Sequence, residues 1–175
     1  MRKFCLTIIV LAGFSKALFA QFGNCTASEM QTYTDRETGN TITILTDTLK
    51  NDRFLYQTDP MWTHDGKYLL FRSSSRANDK KIERTLPNGE KRSWTPTQIY
   101  FIEMATGQII QATEGPDLGS AFLANKSNRM FISRKEKEDW NMYVMDLDKF
   151  FADVKKGKVG KPTAYETLLG TFPTS

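Results

Sequence analysis

TQIYFIEMATGQIIQAT, residues 97–113, decides the fold. Two apolar runs, Ile99 to Ile102 and Ile109 to Ala112, flank a short phrase that ends in Thr106-Gly107. Glycine reaches the positive φ that a tight reversal needs, so the stretch predicts an antiparallel hairpin. The phrase has a precedent upstream. DRETGNTITILTD, residues 35–47, repeats the order of acid, two residues, Thr-Gly and an apolar-rich run.

Working outward, the hairpin belongs to a longer repeat. DPMWTHDGKYLLFRS (59–73) precedes it, and GSAFLANKSNRMFISR (119–134) with WNMYVMDLD (140–148) repeats the pattern. Tyr100 and Tyr143 lie 43 residues apart. A period of about 40–45 residues is that of four-stranded propeller blades. The expected fold class is therefore all-β: a β-propeller fragment of about two four-stranded antiparallel blades plus an N-terminal closing hairpin. With strands A to D running from the channel outward, unit one is expected at 59–63, 68–72, 98–103 and 108–113. Unit two is expected near 121–123, 129–133 and 142–146, with a delayed strand D at 163–167. Residues 31–46 are the outer C–D hairpin of a further blade whose A and B strands do not precede it. The remaining blades are expected beyond this chain.

Two insertions interrupt the period. The first, residues 73–96, contains IERTL-PNG-EKRSW, a hairpin turning at Asn88-Gly89. The second, between C and D of unit two, reads as a short helix. Asp148 can cap it, Phe150 and Val154 share a face, and Gly157 can end it. Its phenylalanines are expected to pack on the propeller's outside.

The N-terminus is a separate matter. Met1-Arg2-Lys3 is basic, Cys5 to Phe14 is apolar, and small residues follow. This is the layout of a secretory signal peptide, too short to span a bilayer. The expected domains are a signal peptide over 1–20, cut after Ala20 or Ala17, and incomplete propeller blades over 21–175. The product is expected to be secreted across the inner membrane into the periplasm or beyond, with no membrane partner once the signal is cut. Removing residues 1–20 takes the balance from 24 basic against 20 acidic residues to 21 against 20. The basic pI thus belongs largely to the leader and is no sign of a nucleic-acid partner. Cys25 then remains alone, so no internal disulfide can form.

Blade topology places the loops. A–B and C–D turns share one end, and the B–C and D–A connections share the other. The first insertion and residues 47–58 (DTLKNDRFLYQT) thus build one candidate functional face. The insertion carries Arg76, Lys80, Lys81, Arg84, Lys91 and Arg92 against Asp79, Glu83 and Glu90, which reads either as a solvated loop or as an attraction for polyanions. Arg72, ending strand B, could clamp a carboxylate there. Tyr56 and Trp94 could stack on a sugar ring, or pack in the core or the hairpin. The candidate substrate-binding set is Tyr56, Asp59, Arg72 and Arg76. Asp59 also reads as fixing the start of strand A, Trp62 as core, and Asp65 as bonding its own turn. His64, the sole histidine, falls in the A–B turn at the opposite end. No catalytic and no metal-ligating residue is assigned.

YTDRETGNTITILTD, FLYQTDPMWTHDGKYLLFRSSSR and QIYFIEMATGQIIQATEG together resemble the N-terminal part of oligogalacturonate lyases, over about residues 31–150. The resemblance implies a seven-bladed propeller of pectin degradation. Its reaction is β-elimination on acidic oligosaccharides, in which a base removes the proton α to the uronate carboxylate. Manganese and an arginine stabilise the charge that develops. It also implies a metal held by histidines and a glutamine from later blades. With one histidine this chain cannot build such a site, so manganese is expected for a full-length member and not in this chain. A non-catalytic TolB-type binding propeller and the propeller of a prolyl oligopeptidase-like enzyme share the generic blade phrase and stay open.

Overall fold

Two buried strands fix the first blade. YLLFRS and QIYFIE are apolar on consecutive residues rather than alternate ones, because both faces of their sheet are covered. The computed structural model describes residues 21–77, 81–86, 88–115, 118–136 and 139–173. The leader at 1–20 lies outside these residues, as do Asp79, Lys80 and the side chain of Arg84.

In chain order the strands are β1 (Cys25–Thr26), β2 (Gln31–Thr34), β3 (Thr41–Ile44), β4 (Asp52–Arg53), β5 (Tyr68–Ser73), β6 (Ile82–Thr85) and β7 (Lys91–Trp94). They continue with β8 (Gln98–Glu103), β9 (Ile109–Gln111), β10 (Leu118–Leu123), β11 (Arg129–Glu136) and β12 (Asp139–Asp146). Helix α1 (Leu147–Lys155) and β13 (Glu166–Pro173) complete the chain. Blade one is the antiparallel sheet β1-β9-β8-β5-β4, and blade two is the meander β10-β11-β12-β13. β2-β3 and β6-β7 are separate hairpins. The fold is an incomplete all-β propeller, as the repeat predicts. No described helix is long and apolar enough to cross a membrane.

Blade one departs from expectation at both edges. The inner strand is not continuous over 59–63. Asp52 and Arg53 pair with Ser73 and Arg72, whereas Met61 to Thr63 meet the other end of β5 through Leu70 N–Met61 O (2.7 Å) and Thr63 N–Tyr68 O (3.0 Å). Residues between them loop out from the inner edge, with buried Leu55 as their anchor. At the outer edge β1 adds a fifth strand, Cys25 opposite Ile110 and Thr26 opposite Ile109. Two residues carry no periodicity, so the sequence gives no sign of it. Trp62 is 47 % exposed rather than core. It bridges Leu69 on the inner edge, and no described sheet covers that side.

Blade two is complete. β11 and β12 pair over eight residues each, longer than predicted, and strand D runs over Glu166–Pro173 rather than 163–167. Pro162–Ala164 is a 3₁₀ turn instead. Ala121, Leu123, Met130, Ile132 and Met145 face blade one's Leu70, Ile99, Phe101 and Ile110 in one core. Phe71, Tyr100, Ile102 and Ile109 form a second cluster on blade one's other face, with Met30 and Leu45 packed on it.

Helix α1 sits inside that first core, not on the propeller's outside. Leu147, Phe150, Phe151 and Val154 are buried at i, i+3, i+4 and i+7. Phe151 stacks on Tyr68 at 3.6 Å and meets Phe101 edge-on at 5.1 Å, and Phe150 packs on Phe22 at 5.1 Å. Asp146, not Asp148, is the cap. Its side chain accepts from Lys149 N at 3.0 Å, while Asp148 accepts from Asn128 Nδ2 at 2.8 Å. Gly157, with φ 64°, ends the helix as predicted.

Candidate functional site

The turn end of the blades is occupied by architecture. Glu103, which opens the EMATG phrase, takes Lys155 Nζ at 2.8 Å and Thr106 Oγ1 at 2.8 Å. His64 Nδ1 lies 3.0 Å from Asn125 O, joining the A–B turns of the two blades. Asp65 accepts from Thr63 Oγ1 at 2.7 Å and from its own turn's Lys67 N at 3.2 Å, and pairs with Lys67 Nζ at 2.9 Å. Burial alone would raise its pKa; the bonds from Lys67 and Thr63 outweigh burial and hold it down at about 2.

The opposite end has a groove. Its volume is about 530 Å³. Asn51 and Arg53 come from the D–A connection, Arg72 and Ser74 from the end of β5, Trp94 and Pro96 from the far side of the insertion, and Leu118 and Gly119 from the inner strand of blade two. Arg53 and Arg72 are direct partners across β4–β5. Their side chains therefore leave the same face, the one that Leu70 turns toward blade two. Like charges directly opposite in an antiparallel pair are unfavourable. Among the described residues no carboxylate lines the groove to offset them. Arg53 Nε reaches Asn51 Oδ1 at 3.3 Å, and Asn51 is tied to the start of the insertion through Ser75 Oγ (2.9 Å) and Ser74 Oγ (2.7 Å). The lining is thus doubly cationic, with Trp94 offering an indole edge or face.

Gly119 shapes the far wall. A Cβ there would lie 2.5 Å from the Trp140 ring and 2.6 Å from Ser133 Oγ. Glycine lets the Trp140 ring lie flush behind the groove.

The four predicted binding residues do not converge. Arg72 lines the groove. Tyr56, 67 % exposed, and Asp59 lie on the loop between the two pieces of the inner strand, where Asp59 N donates to Tyr56 O at 2.8 Å. The Arg76 side chain is 7 % exposed and already engaged. Its Nη1 and Nη2 donate to Glu29 at 2.9 and 2.6 Å, and its Nε and Nη2 to Asp52 at 2.9 and 2.6 Å. Its guanidinium also lies 5.3 Å from the Phe71 ring centre. Burial would lower the Arg76 pKa, but the two carboxylates outweigh it and raise it. The Arg76 bonds hold Glu29 at about 2. Arg76 thereby ties the N-terminal segment to β4 and sets Arg53 in place. Of the insertion's other cations, Arg92 pairs with its neighbour Glu90 at 3.0 Å.

Arg53, Asn51 and Gly119 were not singled out as binding residues from the sequence. Pairing Asp52-Arg53 with Arg72-Ser73 would have found the first two. That pairing is invisible in a two-residue strand without its partner. Among the described residues no group of three or more His, Cys, Asp or Glu side chains could hold a metal ion.

No protein-family model matches the chain, and no curated protein matches it. Solved structures do. One is an oligogalacturonate lyase in complex with manganese, with TM-score 0.58 and 20 % identity, covering 89 % of this chain and 32 % of that one. Another is the oligogalacturonate lyase of Vibrio parahaemolyticus, with TM-score 0.52 and 23 % identity, covering 74 % of this chain and 29 % of that one. At such identities the likeness shows the fold. The chain spans about a third of the length of these structures.

Proposed function

We propose that this chain is the N-terminal, substrate-binding share of a propeller lyase that cleaves acidic oligosaccharides such as oligogalacturonate by β-elimination. One observation carries the reading: Arg53 and Arg72 stand opposite each other in a groove that no described carboxylate lines, in a fold shared with oligogalacturonate lyases. A uronate carboxylate accepts from both guanidinia and relieves their repulsion, since planar guanidinium groups match carboxylates. Trp94 packs against the apolar face of the sugar. Tyr56 and Asp59 extend the binding face along the inner loop, and Arg76 acts from behind by holding β4. The remaining blades belong to the rest of the propeller.

The described residues do not fit a manganese centre, so no step in this chain runs through the metal. The bound arginines stabilise the substrate's carboxylate. Removal of the proton α to it, and departure of the 4-O glycosidic oxygen, fall to residues outside the chain. The chain alone is then expected to bind substrate without turning it over. Mixing it with trigalacturonate and manganese should produce no unsaturated uronate absorbance.

Calorimetric titration with trigalacturonate tests the binding step. Affinity should fall with added salt, as for a screened charge pair. Arg53→Ala or Arg72→Ala should each weaken it at least about tenfold, because a hydrogen bond to a charged group contributes about 1.5–3 kcal/mol. Equal binding of a neutral oligosaccharide, or no loss in either variant, would overturn the reading.

A further inference from the structure

The first described residue is already fixed. Gln21 N lies 3.0 Å from Glu114 Oε2, and Phe22 N donates to the same oxygen at 3.1 Å. Gly23 N donates to Gln111 O at 2.7 Å, and Asn24 N to Gln21 O at 3.0 Å. The Phe22 ring is buried, 5.1 Å from Phe150 and 5.8 Å from Tyr165. The backbone at Gln21 and Phe22 is thus held by the fold, and it directly follows the Ala20 that ends the leader pattern.

We propose that Gln21 is the processed N-terminus of the exported chain and that Glu114 is the receptor for its α-ammonium group. Cleavage after Ala20 turns an amide nitrogen into a cation on an atom already 3.0 Å from a carboxylate oxygen. The neutral hydrogen bond becomes a charge-assisted one, about twice as strong. Cleavage after Ala17 leaves Leu18, Phe19 and Ala20 ahead of Gln21, whose nitrogen then stays a neutral amide. The inference goes beyond the functional reading and stands independently of it.

The pairing has a chemical consequence, because an N-terminal glutamine can cyclise. Its neutral α-amine attacks the side-chain amide carbon, a new C–N bond closes the lactam, and ammonia leaves. The product has no charge at its N-terminus. Only the unprotonated amine attacks. Glu114 keeps the proton on the nitrogen, so it protects the terminus from cyclisation.

The test expresses the full 175-residue chain in a secreting bacterium and weighs the exported product by intact mass spectrometry. The expected mass begins at Gln21 with its ammonia retained. Glu114→Gln should shift the product to the mass lower by one ammonia. A start at Leu18, an uncut chain, or equal cyclisation in both proteins would overturn the proposal. Because Glu114→Gln also weakens the Phe22 contact, a second measurement uses Gln21→Ala, which keeps the amine but cannot cyclise. Its thermal midpoint should fall as pH rises. The α-amine's pKa is raised by the carboxylate, so its stabilisation is present below about 8 and lost above the raised value. Lys155 and Lys161 line the cavity beside Glu114, and Glu29, Lys50 and Arg76 line the one on the other side of Gln21. Their titration is common to the doubly substituted Gln21→Ala, Glu114→Gln chain, which should lack the alkaline fall. The same fall in both chains would sink the ion pair.

Discussion

At the scale of single residues, Arg76 separates what charge says from what geometry says. Its place in a basic insertion made it a candidate for substrate. The structure surrounds it with Glu29 and Asp52 and leaves it nearly inaccessible. Breaking such a buried cluster from one side strands two carboxylates, at a cost of about 3–5 kcal/mol. Arg76→Met should accordingly lower the thermal midpoint steeply while leaving the Arg53 and Arg72 side chains chemically intact. The acid limb gives a signed check. Glu29 titrates near 2 in the fold against an ordinary 4.5. Its stabilisation is full above 4.5 and is lost as pH falls toward 2. Asp65, lowered from 3.8 to about 2, loses its share within the same window. Wild-type chain should therefore lose stability between pH 4.5 and 2, and Arg76→Met should lose distinctly less. Equal acid slopes would show that the cluster does not hold Glu29 down. Arg72 was readable from the sequence because it ends a strand whose exit side follows from topology. Arg53 was not, because its role depends on Arg72, a partner nineteen residues away in sequence.

At the scale of elements, what was legible is what is local. Thr-Gly and Asn-Gly turns, apolar runs and the cap-and-glycine frame of a helix all act within a few residues. The hairpin over residues 82–94 accordingly falls where predicted, and helix α1 ends at the predicted Gly157 but is capped at Asp146, two residues before the predicted Asp148. What the helix packs against is not local. Its phenylalanines were expected on the propeller's outside, yet they fill the wedge between the blades with Tyr68, Phe101 and Phe22. The prediction at this scale concerns that wedge. Phe151→Ala should cost about 3–5 kcal/mol, as for other buried aromatics. Asp146→Ala should cost about 1 kcal/mol for the lost cap. Asp148→Ala removes only an exposed bond to Asn128 and should cost less than either. Thermal unfolding of the three variants orders them, and an Asp148 effect above that of Asp146 would reverse the cap assignment. The split inner strand and the two-residue β1 were missed for the same reason: each is held by a distant neighbour rather than by its own sequence.

At the scale of the whole molecule, one face of blade two decides how the chain behaves alone. Strand alternation turns Ala121, Leu123, Met130, Ile132 and Met145 into the shared core, and so turns Phe122, Phe131 and Val144, which are register partners, to the other side. Met142 and Trp140 continue that side, and Phe172 pairs with Trp140. Phe122 is 44 % and Phe172 55 % exposed, and no described sheet lies over them. The corresponding face of blade one is buried, because blade two covers it. An apolar sheet face of this width is covered in a stable propeller, and the proposal that further blades complete the ring supplies the cover. It predicts that the purified chain alone binds a hydrophobic dye strongly and associates as its concentration rises, both followed by fluorescence and light scattering. Thr167→Lys, which adds charge opposite Val144 on an already exposed strand position, should reduce both without lowering strand content. Extending the chain by the blades of a longer homologous propeller should abolish both. A dye-silent monomer at every concentration would mean that the two blades shield this face by themselves, and that the missing-blade proposal is wrong.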